Sequence, residues 1–183
     1  MPSYSGVWTL TAQYQAKGAG NWTGPLSGDI GLFIGGSGPT NVIDYITITT
    51  TGNAKDFGDI SQTLSNLAAC ASTTRAVSAG GTVSGSIFSY TNVIDYVTID
   101  SVGNATDFGD LTAGRFSLGS CNSSTRGLFA GGSAAFDTFN TIDYITIAST
   151  GDATDFGDLT VARSNVVACS SSTRGVFGGG SAG

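Results

Sequence analysis

Histidine and glutamate are missing from this 183-residue chain, all 13 acidic residues are Asp, and only 11% of residues are charged. Without His the commonest general base and metal ligand is gone, which argues against Ser-His-Asp or Cys-His hydrolysis and against zinc catalysis. Seven Lys and Arg leave a net charge of −6, so a phosphate backbone finds no basic patch and nucleic acid is not an expected partner. No apolar run reaches the roughly 18 residues of a membrane helix, and the opening MPSYSGVWTLTAQYQ has neither the basic nor the apolar stretch of a secretion signal. A soluble protein that is not an enzyme, needs no cofactor and inserts in no membrane is expected. Helices are also disfavoured, because 28 glycines would be costly inside them.

What the chain has instead is repetition. Ile-Asp-Tyr occurs at Asp44, Asp95 and Asp143, and each Asp lies 36 residues before a Gly-Gly pair that opens at Gly80, Gly131 or Gly179. Between one Gly-Gly and the next Asp-Tyr the spacer varies: 7 residues after Gly36, 13 after Gly81 and 10 after Gly132. A fixed module has been copied and one loop left free. The period of 48 to 51 residues is nearest that of a kelch blade, about 50.

β-Branched, aromatic and small residues dominate the module, so each reads as one small sheet of four short strands. In the last copy they fall near Asn165–Cys169, Arg174–Gly179, Ile142–Ile147 and Thr154–Leu159, with Ser-Ser-Ser-Thr and Ser-Thr-Gly-Asp as turns. The expected fold is all-β, a kelch-like β-propeller of about four short four-stranded blades over residues 28–183. Residues 1–27 form a lead-in, where Trp8, Leu10, Ala12 and Tyr14 alternate with polar residues and Trp22 follows a Gly-rich turn. They supply either the last two strands of a blade that the C-terminus completes, burying the sheet edges, or an arm that packs on another subunit. A ring closed within one chain is the first expectation; dimeric closure into a larger ring, or stacking of open modules, is the alternative.

The strings NVIDYITI, NATDFGDLT and SSTRGVFGGG, with the dipeptides ending at Arg115 and Arg163, resemble kelch-like repeats of virion structural proteins from tailed bacteriophages, notably those of cyanobacteria and other aquatic bacteria. The likeness spans residues 28–183. Phe57, Phe108 and Phe156 stand where kelch repeats carry Trp. The resemblance implies a structural part of the virion, in capsid, tail or fibre, assembled in the host cytoplasm and bound to other virion proteins, to copies of itself or to a host surface. It brings no catalytic motif. A carbohydrate-binding adhesin with aromatic loops that stack on sugar rings is the alternative.

Asp-Phe-Gly-Asp invites a calcium reading, but the ion needs about six to eight oxygens, and alternation along a strand sends two such carboxylates to opposite faces. A structural role is expected, with Phe between blades. No Gly-Gly pair precedes a helix pattern with a Lys, so none is a phosphate loop; crowding near a propeller axis accounts for them better. Cys70, Cys121 and Cys169 hold one place in the repeat, too far apart for disulfides, and read as buried reduced thiols.

A four-strand meander would bring Arg126 to Asp155 and Arg75 to Asp107 at one edge, and Arg163 to Asp143 and Arg115 to Asp95 at the other, as buried bidentate pairs. With Leu64 in the place of Arg, Asp44 is expected to be solvated or otherwise paired. Variable loops of repeat proteins gather on one face, often the binding face. Phe88, Tyr90, Phe136 and Phe139 in these loops, with Trp8 and Trp22 of the lead-in, are therefore the candidate interface residues, covered by their own blades, a neighbouring subunit or a sugar.

Overall fold

The computed structural model describes residues 29–36, 38, 40–84 and 89–182, which form strands and turns and no helix. The first module holds β1 (Ile30–Ile34), β2 (Thr40–Thr47) and the long β3 (Lys55–Ser65). The second holds β4 (Ala68–Ala71), β5 (Arg75–Ala79), the short β6 (Thr82–Val83), β7 (Val93–Thr98) and β8 (Thr106–Asp110). Next come β9 (Gly119–Asn122), β10 (Arg126–Ala130), the small hairpin β11 (Ser133–Ala134) and β12 (Asp137–Thr138), β13 (Thr141–Thr146) and β14 (Thr154–Asp158). The chain closes with β15 (Arg163–Ser164), β16 (Val167–Ser170), β17 (Gly175–Gly178) and β18 (Ser181–Ala182).

Three four-stranded antiparallel sheets result, ordered β1-β2-β3-β6, β4-β5-β7-β8 and β14-β13-β10-β9, followed by the pair β16-β17. The strands lie within a residue or two of their expected places. In the second and third sheets neighbours in sequence are neighbours in space, because each turn is built from local chemistry. Ser72, for example, turns the chain by accepting from the Thr74 and Arg75 amides at 3.2 and 3.1 Å.

One register recurs. Opposite the Asp of each Ile-Asp-Tyr lies the first Asp of Asp-Phe-Gly-Asp: Asp44 with Asp56, Asp95 with Asp107, Asp143 with Asp155. A bulge follows at the Phe, so the second Asp does not continue the simple alternation expected of it. Among the described residues, no three His, Cys, Asp or Glu side chains form a group that could hold a metal.

The core lies between sheets. Ile43, Phe57, Ile60 and Leu64 of the first module pack with Ala76 and Val97 of the second. Val77, Ile94, Phe108 and Leu111 of the second pack with Phe129, Ile145 and Ile147 of the third. The strands β4, β9 and β16 run side by side, linked by Ser120 Oγ to Ala69 O at 2.6 Å and by Ser170 Oγ to Asn122 O at 2.7 Å. After the third sheet the cover ends: Phe57 and Phe108 are 2% and 3% exposed, Phe156 53%. The expectation that all three Phe lie between modules therefore holds for two. Completion of β16-β17 by residues 1–27, including Trp8 and Trp22, falls outside the described residues.

The Gly-Gly pairs are crowded, but by the tail of a neighbouring strand. Gly80 and Gly131 have φ of +65° and +66°, and a side chain there would run into the carbonyls of Arg115 and Arg163. The next amides, Gly81 and Gly132, donate to those carbonyls at 2.9 and 3.0 Å. Glycine is required by both the conformation and the approach.

Candidate functional site

The contact that joins one module to the next is the most built-up polar site among the described residues. Asp143 is fully buried. It accepts from the Thr112 amide at 3.0 Å, the Thr112 hydroxyl at 2.7 Å and Arg115 Nη2 at 3.0 Å. Arg115 is buried as deeply, gives a second bond to Phe129 O at 3.3 Å, and lies 5.7 Å from the centre of the Phe139 ring. Burial pulls the Arg115 pKa down and Asp143 pushes it back up. Its Nε and Nη1 have no partner, so the pair is single-pronged.

The same clasp, less one member, joins the first module to the second. Asp95 accepts from the Ser61 amide and hydroxyl at 2.9 and 2.6 Å. Leu64 stands where the next module has Arg115, and Asp95 Oδ1 is left without a partner.

The Arg-Asp pairing is thus displaced by one module from expectation. Arg115 meets Asp143 and not Asp95, because the segment after each last strand turns onto the following sheet. Arg163 does not reach Asp143; it gives a long 3.4 Å bond to Gly179 O, with its Nε unpartnered. Arg126 and Arg75 pair with no carboxylate. They lie over Tyr144 and Tyr96, 4.8 and 4.5 Å from the ring centres, and Arg75 also donates to Ile147 O at 3.1 Å. Asp155 accepts from the Gly157 amide at 2.9 Å. Asp44 is half-buried and has no side-chain hydrogen bond among the described residues, and the omission of Arg at Leu64 bears on Asp95 instead.

A second seam accompanies each clasp. The Gly103 and Ala105 amides donate to Phe57 O and Asp59 O at 2.8 Å, and the Gly151 and Ala153 amides to Phe108 O and Asp110 O at 2.7 and 2.8 Å. The Asp59 and Asp110 amides donate back to Asn104 and Asp152 side chains, both at 3.1 Å. Sequence reasoning missed this seam. Its signal was the constant Gly-Asn/Asp-Ala at residues 52–54, 103–105 and 151–153.

The thiols follow the same logic. Cys70 and Cys121 are buried, with no room for a side chain on Gly127 and Gly175 opposite their sulfurs. Cys169, expected to be buried, is exposed, as is Val167, because no described strand packs over them as β16 packs beside β9. Burial, aided by neighbouring Cys121, pushes the Cys70 thiol up from 9.0 to about 12; burial likewise raises Cys121. A thiol reagent should therefore label Cys169 rapidly and Cys70 and Cys121 only on unfolding. The fold holds Cys70 neutral, so that stability is complete below the unfolded value near pH 9 and is lost as pH rises toward 12. Stability measured between these limits should fall as pH rises, and Cys70→Ala should remove the part of that slope that belongs to this thiol.

Of the loop aromatics, Tyr90 packs on Phe116 with ring centres 6.4 Å apart, and Phe139 covers Arg115. Phe136 is 90% exposed. Phe88 lies outside the described residues. The residue after each of the last three Gly-Gly pairs folds back on a segment near the end of a module, pairing Thr82 with Ser65, Ser133 with Phe116 and Ser181 with Ser164.

A cleft of ≈ 240 Å³ opens beside the last sheet, lined by Cys121, Arg126, Leu128, Phe156, Arg174 and Ser/Thr residues of the final turn. Another, of ≈ 350 Å³, lies between β1 and β4, lined by Leu32, Ala69, Ala71 and Ala76 among others.

No family model matches the chain, and neither does any curated protein. Among solved structures the chain is similar to that of YjhT, with a TM-score of 0.63 and 11% identity over 78% of this chain and 45% of that one. A likeness at this identity speaks for the fold alone. The chain spans less than half the length of that structure.

Proposed function

We propose that the chain is a non-enzymatic structural protein of a tailed-bacteriophage virion, built from kelch-like β-propeller blades that assemble with other virion proteins or with copies of itself. One observation carries this reading: among the described residues the buried charged groups join module to module. Asp95 and Asp143 each take an amide and a hydroxyl from the preceding module, and Arg115 is sealed between Asp143 and Phe139. Such groups hold a shape. The resemblance of the repeat strings to phage virion proteins supplies the setting, and the succession of small sheets packed face to face suits a propeller.

Quantitative mass spectrometry of purified particles from a phage encoding this chain tests the proposal. It should be a stoichiometric component, many copies fitting a coat or tube and a few fitting a fibre. Its presence in infected cells but not in particles would overturn the reading. A sugar-binding role in host attachment is favoured by the exposure of Phe136 in a variable loop. Glycan-array binding that is lost in Phe136→Ser would support it.

A further inference from the structure

The two ends of the described chain carry the unmatched halves of the contact that joins its modules. At the C-terminal end, Thr160 is exposed where Thr112 grips Asp143, and Arg163 stands in the place of Arg115 with no carboxylate beside it among the described residues. Gly157 has nothing within 4 Å, whereas Gly109 lies against the Gly151 backbone. Among the described residues β17 has one neighbour, β16, while its counterparts β5 and β10 each pair on both sides. The ≈ 240 Å³ cleft beside Arg126 and Phe156 corresponds to the place between the second and third sheets that Ile145 and Ile147 fill.

At the N-terminal end the complementary groups are idle. Asp44 has no side-chain partner among the described residues, and the Gly52 amide makes no backbone hydrogen bond among them, whereas the Gly103 and Gly151 amides donate to Phe57 O and Phe108 O. Ile48, the counterpart of Ile147, is 62% exposed. Asn53 and Ala54 repeat the seam residues Asn104 and Ala105.

We propose that two copies of the chain close on each other by hairpin exchange: β2 and β3 of one copy pair along the open edge of β17 of the other, in the place β1 otherwise holds. The strands are interchangeable, since Gly31-Leu-Phe-Ile-Gly-Gly and Gly175-Val-Phe-Gly-Gly-Gly present the same edge. By the shared register Phe177 faces Asp44 as Phe33 does now. Asp44 then receives Thr160 and Arg163, Gly52 seats on Gly157, and Ile48 enters the cleft beside Phe156. β16 comes with β17 and fills the ≈ 350 Å³ cleft along β4, so the exchange brings two strands to the hairpin where β1 offers one.

Residues 1–28 contain no Asp or Glu and cannot supply Arg163 with a carboxylate. The hairpin of a second copy brings an Asp, a seam glycine and an apolar side chain to these groups together. This inference rests on reading the modules as propeller blades, but not on the virion setting.

Sedimentation equilibrium of the full chain over a range of concentrations tests it. The expected mass is twice 18.4 kDa, and Asp44→Asn and Arg163→Leu should each weaken the dimer at least about tenfold. Mixing the two variants should recover part of the loss, because each mixed pair keeps one intact clasp. Val176→Lys, on the exposed edge of β17, provides a variant whose folding is not in question and should also weaken the dimer. A chain that stays at 18.4 kDa, a mass that climbs without limit, or a dimer indifferent to all three changes would overturn the exchange. A monomer found in particles would refute the exchange alone; a dimer missing from them would refute the virion role alone.

Discussion

Gly109→Ala should destabilise the protein by about 4 kcal/mol or more, enough to unfold a domain of ordinary stability. Two costs add at this residue. Its φ of +142° is one that L side chains rarely adopt, worth about 1–3 kcal/mol. A Cβ would also sit 2.5 to 2.8 Å from the carbonyl carbon and oxygen of Gly151 and the Asp152 nitrogen, backbone atoms that cannot swing aside. Gly157 separates the two costs. Its φ is +132°, yet nothing lies within 4 Å of an added Cβ. Gly157→Ala should therefore cost only the conformational part, about 1–3 kcal/mol. Urea midpoints at constant m-value give the comparison; equal losses at the two sites would mean that the seam between modules is not held closely.

The second large effect belongs to Asp143. Asp143→Asn keeps the shape but removes the charge that compensates Arg115, leaving a cation that is 0% exposed. Breaking a buried pair in this way costs about 3–5 kcal/mol. The first clasp provides the comparison. Asp95 has Ser61 on one oxygen and nothing on the other, and no Arg depends on it. Asp95→Asn should change stability by no more than about 1 kcal/mol. Similar losses at both positions would show that the charge of Arg115 is compensated elsewhere.

The strands, turns and period could be read from the sequence because they depend on local chemistry: β-branched runs, Ser-Thr-Arg turns and glycine pairs. The partners of the charged residues could not. In a chain of near-identical modules, a contact within one module and a contact with the next have the same residue types at spacings that differ only by one period. Arg115 with Asp95 and Arg115 with Asp143 were equally good on paper. The direction in which the tail after Asp110 leaves its sheet decides between them, and it depends on packing that no short string encodes. The ends mislead for a related reason. Cys169 and Phe156 have the neighbours in sequence that bury Cys121 and Phe108, but what covers those residues is the following module.

The glycines were half legible. Gly80 and Gly131 announced a special backbone, and they have one. Gly103 and Gly151 looked like ordinary turn residues, although their amides form the seam between modules.

The central claim is that each module grips the next through a buried carboxylate, and a double-mutant cycle on Arg115→Leu and Asp143→Asn tests it most directly. Leu64 already occupies the position of Arg115 in the first module, so the Leu side chain has a precedent there. The account predicts that the double variant is much less damaged than the sum of the single losses, with a coupling of about 2 kcal/mol or more between the two residues. Losses that add to within about 0.5 kcal/mol would contradict it.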